Sequence, residues 1–416
     1  MTTITTPVRH ARGFGFSLLF FVAVMLFHAP FSAVAADSSD DIPVAARVIL
    51  MKVGKLIDAK DYEAAVSVIL EFQQKQKKGE KSDRYGYDHA EIYYTLGVCY
   101  LLENKTAQAA AVLDKALAKD PRHLSALLNR AKAAYELSDY HRAAECFEAT
   151  FALDPKKNPE HLYYAAVALL LAKDSAKSIT VFERLLAEYP AQFQPAWREN
   201  LVHALLDARR EKAALPHIRQ LVTDFTGDKR KKWQEVLLNE YLHLDMYSEA
   251  LALATELSAH NPTESAWWRA LVHIHLYRNQ YKPALTSLVV LSYLEPLKEQ
   301  EQRLLADLYL QLGVPKKATP VYAEMLRNKP SSRLLSNAVA ALQMLGREDE
   351  AIRLIDQFKG EKLPSDLLMR KADLLYQVGN FEEAFELYQE IVEEGGKEKK
   401  RAIKMAEYAK LQSGGS

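Results

Sequence analysis

The chain has 416 residues, 49% of them apolar, with 54 basic and 54 acidic side chains. That is enough apolar material for a large core, and the balanced charge gives no electrostatic reason to expect nucleic acid or an anionic surface as partner. Only 15 glycines are present, which argues against glycine-rich phosphate loops and against all-β folds built on tight turns.

The N-terminus reads as a targeting segment. Arg9, His10 and Arg12 precede an apolar run, "FSLLFFVAVMLF", at residues 16–27, and "SAVAADSSDD" follows with Ala33 and Ala35 at small-x-small spacing. A positive start, a short apolar stretch and small residues before the cut form the pattern of a cleavable export signal. The run is shorter than the ~20 residues needed to span a bilayer. Cleavage after Ala35 would leave no stable membrane span and place the protein in the periplasm; retention of the segment as an anchor is the alternative.

A first helical pair is expected over residues 46–76, with "DAKDYEAAVSVIL" as its clearest part, followed by a charged insertion, "KKGEKSDRYGYD". Prolines then recur at Pro121, Pro155, Pro190, Pro262, Pro296, Pro330 and Pro364, at intervals of 34 or 35 with one proline missing near Gly227. Such a period means one helix–turn–helix unit per repeat, stacked into a solenoid. Between prolines, "AEIYYTLGVCYLLENKTAQAAAVLDKALAKDP" (90–121) carries Tyr93, Leu96, Gly97, Tyr100, Ala109, Leu113 and Ala116. Small residues at Gly97, Ala109, Ala143, Ala250, Ala284 and Ala318 let paired helices approach, and large ones at Tyr100, Phe147 and Tyr322 fill the space between units. The helix break at Gly313–Pro315 is then the turn inside one hairpin. Position by position the unit resembles the tetratricopeptide repeat (TPR). About ten units are expected, in an all-α TPR superhelical solenoid. The chain divides into a signal peptide (1–35), a degenerate first repeat with its insertion (36–89), an N-terminal block (90–227), a C-terminal block (228–395), and a polar capping helix with tail (396–416).

No P-loop, G-x-S-x-G, H-E-x-x-H or C-x-x-C occurs, so no enzyme activity, cofactor or metal is expected. His273 and His275 are two residues apart on a helix and face different directions. The basic run "DKRKKW" (228–233) reads as a solvated helix start. Cys99 and Cys146 are either buried apolar thiols or, in an exported protein, a disulfide; their repeat positions favour separate burial.

The TPR resemblance implies that the first helix of each unit lines a concave groove. Its second, fifth, ninth and twelfth positions give Glu91, Tyr94, Val98 and Leu101; Ser125, Leu128, Lys132 and Tyr135; Glu160, Tyr163, Val167 and Leu170; and, further on, Arg269, His273, Arg303 and Asp307. The candidate groove residues are therefore Tyr94, Val98, Leu128, Lys132, Tyr135, Tyr163, Arg269 and Arg303, apolar and aromatic toward the N-terminus and polar toward the C-terminus. An extended or helical peptide suits such a groove; the alternative is that these side chains only pack between units. A carboxylate clamp is not expected, because Asn129 matches its pattern while Tyr94, Val98, Glu160 and Tyr164 stand where its other residues belong.

From Lys232 onward a narrower resemblance appears, carried by Lys232–Trp233, Trp267–Trp268, "YLEPLKEQE" and "LLADLYLQLGVPKKA". This half is similar to exported TPR proteins described as components of TonB systems. The resemblance implies an accessory, non-catalytic role beside TonB, ExbB or ExbD. A scaffold for another envelope process, such as polysaccharide export, pilus assembly or outer-membrane biogenesis, is the alternative.

Overall fold

The computed structural model describes residues 42–76 and 84–414. The targeting segment and most of the charged insertion lie outside the described residues. Those described form 21 α-helices and no strand. The chain divides into two compact units after Glu240, a point within the eleventh helix.

The first unit holds five helical hairpins: α1 (Val44–Asp58) with α2 (Tyr62–Gln74), α3 (Ala90–Leu102) with α4 (Thr106–Lys119), α5 (Leu124–Glu136) with α6 (Tyr140–Leu153), α7 (Pro159–Leu171) with α8 (Ser175–Glu188), and α9 (Pro195–Asp207) with α10 (Glu211–Asp224). The helix α11 (Gly227–His243) carries the boundary. The second unit continues with α12 (Tyr247–His260), then α13 (Ser265–Tyr277) with α14 (Tyr281–Leu294), α15 (Glu299–Gln311) with α16 (Pro315–Asn328), α17 (Ser332–Gln343) with α18 (Glu348–Asp356), α19 (Ser365–Gln377) with α20 (Phe381–Glu394), and α21 (Lys399–Gln412).

One local device repeats ten times. Lys60, Asn104, Ser138, Lys173, Arg209, Asp245, Asn279, Gly313, Gly346 and Gly379 each take a left-handed backbone, with φ between 55° and 85°. The next residue's N–H reaches the carbonyl five positions back, as in Lys105 to Tyr100, Asp174 to Leu169 and Val314 to Tyr309. This is the Schellman closure of a helix C-terminus. Each turn ends one helix and aims the chain back along it, so ten turns give about ten repeats.

Five residues after every turn lies a small side chain: Ala65, Ala109, Ala143, Ser178, Ala214, Ala250, Ala284, Ala318, Ala351 and Ala384, all 0% exposed. Across from Ala109, Gly97 shows how close the helices come. A Cβ on it would sit 2.7 Å from the Cγ of Leu113. Ser178 meets the same demand with a hydroxyl, which donates to the carbonyl of Ala166 at 2.8 Å and so leaves no buried donor unpaired. Four residues further on, Leu113, Phe147, Phe182, Ile218, Leu288, Tyr322, Ile355 and Tyr388 are at most 2% exposed and fill the layer between helices. Helix starts are capped at the same period: the side chains of His89, His123 and Asn158 accept backbone N–H bonds at α3, α5 and α7.

Candidate functional site

In the first unit the predicted groove row is mostly occupied by the protein itself. The Tyr94 ring lies 4.7 Å from that of His123, and its hydroxyl engages the side chains of Ser125 and Asn129; burial raises its pKa. His123 accepts the N–H of Ala126 at Nδ1, which leaves Nε2 to donate to Glu91 at 3.1 Å. Tyr163 stacks on Trp197 at 5.0 Å and 15°, and its hydroxyl accepts a bond from Asn200 Nδ2 at 3.0 Å. Both tyrosines therefore tie one repeat to the next.

Val98 does not belong to an open groove. It is 3% exposed, and Val167 and Leu170 are equally closed at 4% and 3%. The reason is that α3 and α7 are apolar almost all round, and a helix with no polar face is enclosed on every side. Leu128, Lys132 and Tyr135 on α5 remain half-buried. Burial lowers the Lys132 pKa, and Tyr135 sets its ring edge-on to Tyr140 at 5.5 Å. These three keep partial access to solvent, as do Tyr94 and Tyr163, while Ser125 and Glu160 of the same row are exposed. Beside it, between the starts of α7 and α9, a cleft of about 330 Å³ is lined by Asn158, Glu160, Gln192, Gln194 and Trp197.

In the second unit the two predicted arginines are also engaged. Arg269 binds Glu301 at 2.7 Å and Glu295, and both carboxyls are held below their usual pKa, Glu295 chiefly by the Arg269 hydrogen bond and Glu301 against the opposing effect of burial. Arg303 lies 3.7 Å from Asp307. Asp307 accepts from the hydroxyl of Tyr322 at 2.5 Å and from Asn337 at 3.0 Å. Two repeats on, Asp373 accepts from the hydroxyl of Tyr388 at 2.8 Å and from Arg401 at 2.6 Å. A buried tyrosine of the second helix thus grips an aspartate of the first, and the next repeat binds the same aspartate.

An open site lies further along. Ala340, Gln343, Met344, Asp366, Arg370, Asp373, Glu398 and Arg401 line a cleft of about 490 Å³ on α17, α19 and α21. Met344 is 55% exposed at its edge, and Arg370 is held in place by the carbonyl of Ser336 at 3.1 Å. Gln343 offers both donor and acceptor, Asp366 an acceptor, and the two arginines point charges already oriented by Asp373, Glu398 and Ser336. That mixture suits the alternating N–H and C=O groups of an extended backbone, with Met344 as an adaptable apolar contact. Sequence reasoning did not single out this cleft, although the same position arithmetic carried two repeats further yields Ala340, Gln343, Asp366 and Asp373.

The comparisons with known proteins agree with the repeat. Tetratricopeptide-repeat family models match residues 90–123 and 128–193. No curated protein matches the chain. Among solved structures, the chain is similar to Naa15/Naa10 bound to HypK-THB (14% identity, 88% of this chain and 60% of that one, TM-score 0.43). It is also similar to yeast Tom70 (15% identity, 88% and 96%, TM-score 0.29). A tetratricopeptide repeat protein from Parabacteroides merdae is similar over 64% of this chain and 98% of its own, at 15% identity and TM-score 0.35. The chain spans 60% of the length of the Naa15/Naa10 chain. With a family match in three consecutive periods and ten turns of one geometry, this chain carries tetratricopeptide repeats, stacked as an all-α solenoid of about ten units.

Proposed function

We propose that this protein is a non-catalytic, exported scaffold that binds segments of other proteins, as an accessory of a TonB-type uptake system in the periplasm. The observation that carries the scaffold reading is the repeat array itself, whose first helices present the Leu128–Tyr135 surface and the Gln343–Arg401 cleft. Export rests on the targeting pattern of residues 1–35, and the TonB assignment on the resemblance from Lys232 onward. Among the described residues no helix is long and apolar enough to cross a membrane. The proposed partner is a periplasmic segment of TonB, with ExbB or ExbD next; a proline-rich segment is pre-extended and docks at low entropic cost.

Crosslinking in cells, followed by identification of the trapped protein, tests this reading. Recovery of a TonB-system protein is expected. Recovery of polysaccharide-export, pilus or outer-membrane assembly components alone would move the assignment to that process. Because Tyr94 and Tyr163 also hold repeats together, the binding variants are Leu128→Asp with Tyr135→Ala, and Gln343→Ala with Asp366→Arg. Each pair should weaken partner binding at least about tenfold, some 1.4 kcal/mol, with helix content unchanged.

A further inference from the structure

We infer that the outer faces of α20 and α21 form a self-complementary surface that takes a second copy of this chain. The inference stands on its own observations and is independent of the TonB reading.

The helix α21 packs on α20 through Ala402, Ala406 and Ala409, at most 8% exposed, against Tyr388 and Ile391. Its other side is exposed and basic: Lys399, Lys400, Arg401, Lys404 and Lys410 face a single exposed acid, Glu407. Ile403, Tyr408 and Leu411 lie among them at 42%, 45% and 71% exposure. The adjoining α20 is the opposite. Glu382, Glu383, Glu386, Glu390, Glu393 and Glu394 are exposed, and the helix has no basic residue. Among the described residues Lys399, Lys400, Lys404 and Lys410 make no ion pair, and neither do Glu382, Glu383, Glu386 and Glu393. Opposite charges thus lie on neighbouring helices without neutralising each other.

A two-fold axis is the operation that uses this arrangement. It sets the basic face of each copy over the acidic face of the other, and an isologous contact satisfies both patches at once. Ile403, Tyr408 and Leu411 then leave water at the centre, with the charges as a rim that sets orientation. An anionic lipid surface or an acidic protein fits less well, because either would meet the six glutamates of α20 as like charge.

The mass of the purified protein in solution, measured by light scattering across concentration and salt, tests the inference. The wild type should double in mass with rising concentration at low salt and revert to monomer as salt screens the rim. Tyr408→Glu with Leu411→Glu should raise the dissociation constant at least about tenfold. The decisive pair is Lys400→Glu/Lys404→Glu and Glu386→Lys/Glu393→Lys. Each should be monomeric alone, because its two faces now repel in the symmetric contact, and an equimolar mixture should form a dimer. Restored pairing in the mixture shows that both variants are folded. A wild type that stays monomeric throughout, a dimer indifferent to Tyr408 and Leu411, or a mixture that does not pair would overturn the inference. So would a monomer that binds phosphatidylcholine–phosphatidylglycerol vesicles through α21.

Discussion

The same substitution should have opposite effects at Gly97 and Gly54. Gly97 lies in α3 where α4 crosses it. A Cβ there would stand 2.7 Å and 2.8 Å from Cγ and Cδ2 of Leu113, and 3.3 Å from Cγ2 of Val112. Leu113 is 0% exposed, so its branch point has nowhere to go unless α3 and α4 separate. Overpacking of this kind costs about 1–3 kcal/mol. Replacing a mid-helix glycine by alanine returns about 1 kcal/mol in propensity. Gly97→Ala should therefore destabilise the first unit by about 1 kcal/mol. Gly54 sits in α1 with nothing within 4 Å of a built Cβ, so Gly54→Ala keeps only the favourable part, about 0.5–1 kcal/mol. For a unit of this size about 1 kcal/mol moves a melting midpoint by roughly 2–4 °C. Thermal melts by circular dichroism, with hydrogen exchange on α3 as a local probe because repeat arrays lose strict two-state behaviour, should show the two midpoints on opposite sides of wild type. Shifts of the same sign would refute the claim that helix approach at Gly97 requires a missing side chain.

Ala318→Trp should destabilise the second unit by about 1–3 kcal/mol or more, since Ala318 is 0% exposed between α15 and α16; the exposed neighbour change Lys317→Ala should cost less than about 0.5 kcal/mol, and equal urea midpoints would contradict the repeat register. Lys173→Gly should stabilise by about 1 kcal/mol, because the lysine holds φ at 63° where an L side chain is strained; a lower midpoint would count against it. Cys99 and Cys146 are both buried, and burial pushes the Cys99 thiol up to about 12 and raises that of Cys146, so alkylation without reductant should label both only after denaturation, and absence of label would establish a disulfide. His161, His203 and His217 titrate below their ordinary value, chiefly through burial. The unfolded chain then binds protons more readily, so stability is complete above about pH 6.5 and declines as pH falls below it; His203→Gln should flatten the decline in a series of melts.

The period of 34 was legible because each repeat must end a helix, and proline does so without ambiguity at Pro121, Pro296 or Pro330. The close-contact alanines were legible for a similar reason, since only a small side chain fits between crossing helices. The hairpin turns were harder to read. Glycine marks the left-handed residue in only three of ten, while lysine, arginine, serine, asparagine and aspartate hold it in the rest. There the strain is borne by the backbone bonds that close the turn, and composition gives no sign of it. Val98 was misplaced because a fixed position in the repeat does not say whether its helix has a polar face. The run "DKRKKW" is the exposed helix start that its charge suggests, but its bonds are not legible in it: Arg230 donates to the carbonyls of Val222 and Phe225 at the end of α10, and Glu199 accepts from Lys229 at 3.2 Å and from Trp233 at 3.1 Å. Those partners lie up to 34 residues away in sequence, at a distance that only the stacked fold makes short.

That spacing bears on where a ligand can bind. Hydrogen bonds and ion pairs one repeat apart recur through both units: Thr106 to Glu136, Ser175 to Asp207, Asn200 to Tyr163 and Trp233 to Glu199 in the first, and Arg269 to Glu301, Asn337 to Asp307 and Lys362 to Glu394 in the second. The exposed pairs contribute little each. The half-buried ones act differently, because slipping one repeat against the next would leave Glu199 or Asp307 without its donors. Apolar layers of alanine and leucine tolerate such slippage; a directional bond does not. The first helices of the repeats therefore carry the register-fixing groups, from Tyr163 and Asn200 to Asp307 and Asn337, and each group so used is withdrawn from recognition. Under the proposed function, what remains for a partner is the surface the ladder passes by, Leu128 and Tyr135 on α5 in the first unit, or Gln343 of α17, Met344 just after it and Asp366 of α19 in the second. A peptide that binds there need not compete with the bonds that hold the repeats in step.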